Sequence, residues 1–406
     1  MSHTLIARTP QPHFSSAGFL RQHIDDILSF YKPRAFDPRG GFFHYYKDDG
    51  TVYDADHRHL VSATRFVFNW VRAWQHTGDD HYRQWAAHAL QELDTRFKNR
   101  DADYAWTVNA HGIEDARIMA YGQAFVLLAK AYAYRAQLCS AADVGAVFER
   151  MNTRFYEPQH TAYADERGAD GTLSPYRGQN ANMHMCEACL AAFEATGEAR
   201  YLSRAQDLAN TFALGLSHAT ASAPMARFAI WEHYQPDWTP DWDYNKNSPG
   251  DIFKPWGYQT GHQTEWAKLL LNLHEHSPNP ALVSTAKALH DEAYAAGWDH
   301  SNGGLIYGYA PDGSPCDTDK YFWVQAESFA SSWRLWRTTG EPQYLEQYRQ
   351  IWQWAWAHLV DHRHGAWFRI VSAQGGTLED TKSPAGKVDY HTMGACWDVL
   401  RVGGLD

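Results

Sequence analysis

Apolar residues recur along this chain at the three- and four-residue spacing of a helix face, in six separate runs. Most of these runs are followed by a turn and a second, more polar helical run. Helices that are apolar on most sides are buried, so we expect the first kind inside the fold and the polar kind around it. The six apolar helices are predicted to begin near Leu60, Asp115, Asn182, His262, Phe322 and Tyr390.

A short aromatic segment flanked by glycine precedes each apolar helix, and its composition is typical of a strand or hairpin. The six segments are residues 40–50, 101–112, 160–171, 225–234, 303–313 and 365–376. Hairpin and helix pair together therefore form a repeating unit, which has to be recognised before a fold is assigned.

The turn between paired helices also repeats, as Thr-Gly-Asp at 77–79 and Thr-Gly-Glu at 196–198 and 339–341. Glycine just past a helix end and an acidic residue at the next helix start are the residues that helix capping favours. The signature supports three helix-turn-helix units directly.

Six such units predict an all-α fold, an (α/α)6 barrel or six-hairpin toroid with short β-hairpins at one end. We expect residues 1–406 to form a single domain, since no Pro/Ser-rich linker or charge run divides the chain. An open solenoid of helix pairs is the alternative, but its end repeats would need polar caps that the sequence does not show.

Ionisable side chains occupy one equivalent position in three of the inner helices. Arg65, His184 and Glu327 each lie the same number of residues before the glycine of the following turn. A repeat with a purely structural role would place apolar residues there. We therefore expect a polar site near the centre of the ring.

His262 and His391, at the starts of two inner helices, are the candidate acid and base because histidine exchanges protons near neutral pH. Glu265, one turn after His262, is expected to hold that ring in one tautomer. Arg65 lies on a strongly apolar helix and needs a partner. We expect either an ion pair with Glu187, Glu265 or Glu327, or stabilisation of an oxyanion on the substrate.

The segment around Asn180, His184 and Glu187 places further polar side chains at a helix start, with Asn180 or Asn182 as a possible N-cap. Cys186 and Cys189 in the same segment form a C-x-x-C pattern. It lies within a helical repeat and has no second pair, so redox or metal binding is disfavoured.

Two loops carry acidic residues whose role the sequence leaves open. Residues 54–59 look metal-like but lack a ligand spacing, so we expect a solvated loop. The loop with Trp238, Asp241, Trp242 and Asp243 is either a lid over a sugar pocket or the carboxylate pair of a glycosidase.

Composition narrows the class of protein. Aromatic residues make up 15% of the chain, which suits a carbohydrate-handling cavity, although most of them must serve the core. A net charge of −11 argues against nucleic acid and anionic membranes as partners. No apolar run approaches the ~20 residues of a membrane span, and the N-terminus lacks a secretory pattern. Five cysteines fit a reducing compartment, so we expect a soluble cytoplasmic protein.

The motifs RHLVSATRFVFNW, YGQAF, GQNANMHMCEA, GHQTEWAKLL, WVQAE and YHT follow one another in this order. Together they resemble the N-acylglucosamine 2-epimerase superfamily of (α/α)6-barrel sugar isomerases and epimerases, over nearly the whole chain. The resemblance is strongest to its metal-independent aldose–ketose isomerase branch, which acts on D-mannose or sulfoquinovose.

The resemblance implies that His262 and His391 move a proton between C1 and C2 through a cis-enediol, without cofactor or metal. It implies substrate-binding roles for seven residues, namely Arg65, Tyr121, Asn180, His184, Glu187, Glu265 and Glu327. The expected partner is a monosaccharide, and the expected assembly is a monomer or homodimer.

Five functions remain open on the sequence. The first is interconversion of D-mannose and D-fructose, with D-lyxose and D-xylulose as further candidate substrates, and the second is 2-epimerisation of glucose-type or N-acylglucosamine-type sugars. Sulfoquinovose as substrate would need a sulfonate site, for which no extra Arg/Lys cluster is evident. A glycosidase using Asp241 or Asp243, or a non-catalytic sugar-binding protein, is the more distant reading.

Overall fold

The structure is a computed structural model that describes residues 12–216 and 228–406. The described residues form twelve α-helices, and α3 and α7 continue as π-helical turns at Leu93–Phe97 and Ala209–Leu216. The helices are α1 Ala17–Tyr31, α2 Leu60–Thr77, α3 Asp80–Glu92, α4 Ala120–Arg135, α5 Ala141–Arg154, α6 Gln179–Thr196, α7 Ala199–Leu208, α8 Thr260–His276, α9 Pro280–Gly297, α10 Phe322–Thr339, α11 Pro342–His358 and α12 Tyr390–Val402.

The even-numbered helices form a closed inner ring. Each packs against the next inner helix, and the last, α12, packs against the first, α2. Five inner helices pair with the odd-numbered helix that follows them, whereas α12 pairs with α1 from the other end of the chain. The predicted all-α (α/α)6 barrel is therefore confirmed, with its sixth outer helix supplied by the N-terminal region.

Three inner helices begin at the predicted residues, Leu60, Phe322 and Tyr390. The predictions for the other three were displaced by two to five residues, since α4, α6 and α8 begin at Ala120, Gln179 and Thr260. The largest error has a local cause. Residues Gly112–Asp115 form a strand, and the Asp115 carboxylate accepts from the backbone and side chain of Arg117 in a tight turn that delays the helix.

Short antiparallel strands lie at the end of the ring where the inner helices begin, as predicted. The strands are β1 Tyr45–Lys47, β2 Val52–Asp54, β3 Arg58–His59, β4 Thr107–Asn109, β5 Gly112–Asp115, β6 Ile118–Met119, β7 Tyr156–Glu157, β8 Ala162–Tyr163, β9 Glu166–Arg167, β10 Arg177–Gly178, β11 His233–Tyr234, β12 Tyr258–Gln259, β13 Gly308–Tyr309, β14 Pro315–Asp317, β15 Lys320–Tyr321, β16 Ile370–Val371 and β17 Thr381–Ser383. Each of the six predicted segments contributes at least one strand, although residues 225–227 of the fourth lie outside the described residues.

An amide side chain fixes four of the inner helices to the segment before them. The fourth residue of α4, α6, α8 and α10 is Asn or Gln, and its amide bonds both the N–H and the C=O of one buried residue. The pairs are Gln123 with Tyr104, Asn182 with Tyr163, Gln263 with Ile230 and Gln325 with Leu305. Each amide bonds the backbone of that residue as a neighbouring strand would, and thereby fixes the first turn of the helix relative to the preceding segment.

The Thr-Gly turns close the opposite ends of α2, α6 and α10. Gly78, Gly197 and Gly340 all adopt the left-handed conformation, with φ of 72°, 75° and 74°. The predicted acidic N-cap is confirmed at one of the three turns. Asp79 accepts from the backbone N–H of His81, whereas Glu198 and Glu341 make no side-chain cap bond.

The core is one aromatic-rich cluster that fills the space between the two rings of helices. Cys186 and Cys189 are buried in it as free thiols, in agreement with a structural role. Among the described residues, no helix is long and apolar enough to cross a membrane.

Candidate active site

A cavity of about 690 Å³ opens at the end of the ring where the inner helices begin. Aromatic side chains line part of it, namely Phe253, Tyr307 and Tyr321 from the connecting segments and Trp323 from the start of α10. Seven of the nine predicted site residues line it, namely Arg65, Tyr121, Asn180, His184, His262, Glu265 and His391. The other two, Glu187 and Glu327, lie directly behind this layer and bond to residues in it.

His391 is held by a carboxylate and an arginine. Its Nδ1 lies 2.7 Å from Oε1 of Glu327, and its Nε2 lies 3.1 Å from Nη2 of Arg65. An ionised carboxylate can only accept, so the imidazole proton is on Nδ1 and Nε2 presents a lone pair. Burial lowers the pKa of His391 to about 4, helped by the Arg65 charge and opposed by Glu327. The ring is therefore neutral and basic at Nε2 near neutral pH.

His262 is held in the same manner by a different carboxylate. Its Nδ1 lies 3.0 Å from both oxygens of Glu232, which also accepts from Nε2 of Gln179 at 2.9 Å. Trp266 donates to the amide oxygen of Gln179 and so fixes that side chain. The expectation that Glu265 orients His262 was wrong. Residues one turn apart lie on the same helix face, but Glu265 turns toward His184 instead, at 4.0 Å.

Glu232 and Gln179 were not predicted from the sequence. Glu232 belongs to the aromatic segment just before β11, and it reaches His262 from thirty residues away in the chain. The available signal was a single acidic residue between Trp231 and His233 in an otherwise apolar stretch, where an unpaired carboxylate would be costly.

Trp323 brings the two histidines together. Its ring lies 5.0 Å from the ring of His262 and 5.8 Å from that of His391. Both imidazoles therefore face one part of the cavity, beside one indole. A small molecule seated there would meet the two rings at once.

Arg65 makes no ion pair with Glu187, Glu265 or Glu327 in the described structure, so that alternative was wrong. Its guanidinium instead lies between the rings of Phe125 and Tyr390, at 4.4 and 4.6 Å. It donates to the backbone C=O of Gly386 and to the hydroxyl of Tyr121. The charge is thus stabilised by aromatic faces and remains available to an anion in the cavity.

Three neighbouring carboxyl groups, Glu265 on the cavity wall and Glu187 and Glu327 behind it, have pKa values that are shifted in different directions. Glu187 accepts from Nδ1 of His184 and from the Tyr390 hydroxyl, contacts that outweigh burial and lower its pKa. Burial lowers the pKa of His184, and Glu187 opposes this. Burial and the charge of Glu327 raise the pKa of Glu265 well above its ordinary value. The shift favours the protonated form of Glu265, which can donate a hydrogen bond into the cavity.

Neither asparagine of the GQNANMHM segment caps α6, so the expected N-cap was wrong. Gly178 occupies the cap position, and Asn182 is the bridging amide described above. Asn180 lines the cavity, and its side-chain oxygen is buried without a hydrogen-bond partner. That oxygen is available to a sugar hydroxyl.

The acidic aromatic loop does not line the cavity. Asp241 accepts from nearby backbone N–H groups, Asp243 pairs with Lys246, and Trp238 donates to Glu157. Residues 252–255 cover the cavity edge instead. The segment at 54–59 is solvated only in part. His57 contacts Asp54 and Glu114 near the surface, whereas Arg58 and His59 are buried in β3, so the expected solvated loop holds for residues 54–57 alone.

Two groups of three side chains have possible metal-ligand atoms within 4.8 Å of one another, His184/Glu187/Glu265 and Glu265/Glu327/His391. In the second group both Glu327 oxygens are engaged, one by His391 and the other by Lys268. A cation would have to displace that ammonium group. In the first group Glu187 already accepts from His184 and Tyr390. The donor sets therefore fit a hydrogen-bonded site better than a metal site.

Comparison with known proteins agrees with this geometry. The model of the N-acylglucosamine 2-epimerase (GlcNAc 2-epimerase) family matches residues 41–395. The chain belongs to this family. It is 48% identical to the D-mannose isomerase of Marinomonas mediterranea over 392 residues, which cover 96% of this chain and 98% of that protein.

A crystal structure of a D-mannose isomerase superposes with a TM-score of 0.93 at 46% identity, covering 96% of this chain and 99% of that one. A more distant family member, the cellobiose 2-epimerase of Eubacterium cellulosolvens, is 23% identical over 412 residues, or 94% of this chain and 97% of that protein. The family thus includes proteins named as isomerases and as epimerases.

Proposed function

We propose that this protein is an aldose–ketose isomerase that interconverts D-mannose and D-fructose by proton transfer. The observation that carries the proposal is the pair of imidazoles, each bonded through Nδ1 to a carboxylate, beside one indole ring. The near full-length similarity to a D-mannose isomerase supports the choice of sugar.

In the proposed reaction Nε2 of His391 removes the C2 proton of open-chain mannose, the C2–H electrons form the C1=C2 double bond, and the C1=O π electrons move to O1 to give an enediolate. The proton then returns to C1 while the O2 proton is transferred to O1, so that C2 becomes the ketone and O1 a hydroxyl. Arg65, 3.1 Å from that Nε2, is placed to bind the oxygen on which negative charge develops. No electrons are gained or lost overall.

His262 has the complementary role of exchanging the proton on the sugar oxygens. Glu232 is placed to balance the positive charge that this imidazole carries when it takes up a proton. Glu265, as a neutral carboxyl, and Asn180 would bond the remaining hydroxyl groups and hold the chain extended. Tyr121 and His184 line the cavity and would bind the sugar, Glu187 acts through His184, and Glu327 acts through His391.

Epimerisation is the second candidate, because it needs the same proton transfer followed by rotation of the intermediate before the proton returns. The similarity to a cellobiose 2-epimerase supports this second candidate. A sulfonated sugar is less favoured. The two other cations on the cavity wall, Arg369 and Lys387, already pair with Glu379 and Asp389 among the described residues.

Proton NMR of the purified protein with D-mannose in D2O tests the proposal. Fructose should appear, with deuterium at the exchanged carbon, and treatment with a chelator should leave the rate unchanged. Glucose as the main product would favour the epimerase, and unchanged mannose would reject both.

We also propose a cytoplasmic location and a monomer or homodimer, which cell fractionation and light scattering would test.

A further inference from the structure

Lys268 lies on α8 directly behind the cavity, and its side chain is only 13% exposed. Its ammonium group donates to Oε2 of Glu327, whose other oxygen accepts from Nδ1 of His391 at 2.7 Å. Lys268 therefore contacts the partner of the proposed base without contacting the base itself. In the sequence it is the lysine of the GHQTEWAKLL motif, and neither the motif nor the apolar run around it assigned this side chain a role.

The charge of Lys268 is required by its surroundings. Burial lowers its pKa, but the carboxylates of Glu327, Glu265 and Glu187 outweigh burial and raise the pKa above its ordinary value. The same ammonium group is the first of the contacts that lower the pKa of Glu327 against burial. Three buried carboxylates thus share one lysine, and without it at least one more of them would take up a proton.

We propose that Lys268 is a positioning residue that keeps Glu327 ionised and oriented, so that His391 carries its proton on Nδ1 and keeps on Nε2 the lone pair that accepts from Arg65 in the structure and would take the proton of the sugar. The direction of the Glu327–His391 bond decides which nitrogen is basic. An ionised Glu327 accepts from Nδ1–H, whereas a protonated Glu327 would donate to Nδ1 and move the imidazole proton to Nε2. The proposal rests on the proposed function only where it refers to the sugar.

The pH dependence follows from the charged groups that face this pair from every packed helix. They are Glu265 on α8, His184 and Glu187 on α6, Arg334 on α10, Asp398 on α12 and Arg65 on α2. Arg334 is paired with Asp398, and Arg65 lies on the His391 side. Lys268 is the cation bonded to Glu327, so its removal should raise the pH below which Glu327 is protonated.

Lys268→Met tests this through the pH profile of kcat on D-mannose. We expect kcat near neutral pH to fall roughly 10-fold or more and KM to change less than about 3-fold. The acid limb of kcat should move upward by about one pH unit or more, whereas Lys268→Arg, which keeps the charge, should restore most of both. Lys287→Met, which removes a paired lysine from the outer helix α9, is the matched control with an unchanged profile.

Nitrogen-15 NMR of the histidines tests the tautomer without turnover, with the His391 signal assigned by its absence in His391→Asn. The proposal requires the Nδ1–H form in the wild type and its loss in Lys268→Met, or in Lys268→Gln if the first variant does not fold. An Nε2–H form in the wild type, or an unmoved acid limb in Lys268→Met, would overturn it. If the tautomer is as expected but no sugar is isomerised, the proposed function has failed and the positioning role stands.

Discussion

At the level of single residues, each proposed catalytic imidazole is fixed by a carboxylate from another part of the chain. His391 meets Glu327 across 64 residues, and His262 meets Glu232 across 30. The sequence indicated the histidines and Glu327 because they lie at repeated helix positions. It did not indicate Glu232, because contacts between segments distant in the chain depend on side-chain directions that no periodicity encodes.

The substitution His391→Asn should lower kcat by about 10²- to 10⁴-fold, because it removes the base and leaves the Glu327 contact intact. Steady-state kinetics on D-mannose would measure the loss, and circular dichroism would check the fold. His300→Asn, at an exposed position, serves as control. Activity within a few-fold of the wild type would remove His391 from the mechanism.

The substitution Glu232→Gln should lower kcat by roughly 10- to 10³-fold with little change in KM. A neutral amide can no longer balance a charged His262 and can bond the wrong tautomer. Glu379→Gln, which removes a surface carboxylate on Arg369, is the matched control. Equal losses in kcat at every pH for both variants would argue for a general structural effect.

At the level of elements, helix type and number could be predicted, because apolar periodicity and the Thr-Gly turns are local signals. The start of α4 could not be, because the turn between Asp115 and Arg117 delays this helix, and the predicted starts of α6 and α8 were displaced by two or three residues. The pairing of α12 with α1 also escaped prediction. No turn signature joins two helices at opposite ends of a chain.

Gly261 in α8 and Gly340 in the turn after α10 should respond differently to substitution by alanine. At Gly261 a Cβ atom would overlap the Trp323 ring, which contacts both imidazoles, so Gly261→Ala should reduce kcat/KM by about 10-fold or more. At Gly340 the added atom meets open space, but φ is 74°, so Gly340→Ala should cost about 1 kcal/mol of unfolding free energy and leave kcat unchanged.

Urea unfolding and kinetics on both variants would separate the two effects. A normal kcat/KM in Gly261→Ala would mean that the indole position is not critical. A catalytic loss in Gly340→Ala would show that the turn is coupled to the cavity, contrary to expectation.

At the level of the whole molecule, several buried histidines make stability depend on pH. Burial lowers the pKa of His23, His290 and His391 to about 4 and that of His59 to about 3. The unfolded chain therefore binds more protons than the folded one below about pH 6.5, and stability falls on acidification from there. Burial raises the pKa of Glu92 and Asp165 to about 7, which acts in the opposite direction between about pH 4 and 7.

Because the four histidines outnumber those two carboxyls, we expect a net loss of stability as pH falls from about 6.5 to 4. Each unit by which a group's pKa differs between the folded and unfolded states changes the free energy of unfolding by about 1.4 kcal/mol. Calorimetry at a series of pH values would measure it. A melting temperature that is flat or rises as the pH falls through this range would contradict the expectation.

That residues 1–406 behave as one domain stays a prediction, which a single calorimetric transition would support.

The closure of the ring by α1 and α12 has a consequence for biosynthesis. His391 sits on the last helix, and the Tyr31 hydroxyl of α1 bonds at 2.6 Å to Asp389, two residues before it. Of the described helices, the ribosome synthesises α1 first and α12 last. The growing polypeptide can stack most of its helices early, yet both imidazoles can meet only after the final helix has emerged and docked on the first. Catalysis would therefore require that α12 has docked on α1 and α2, and fragments that lack α12 would be inactive.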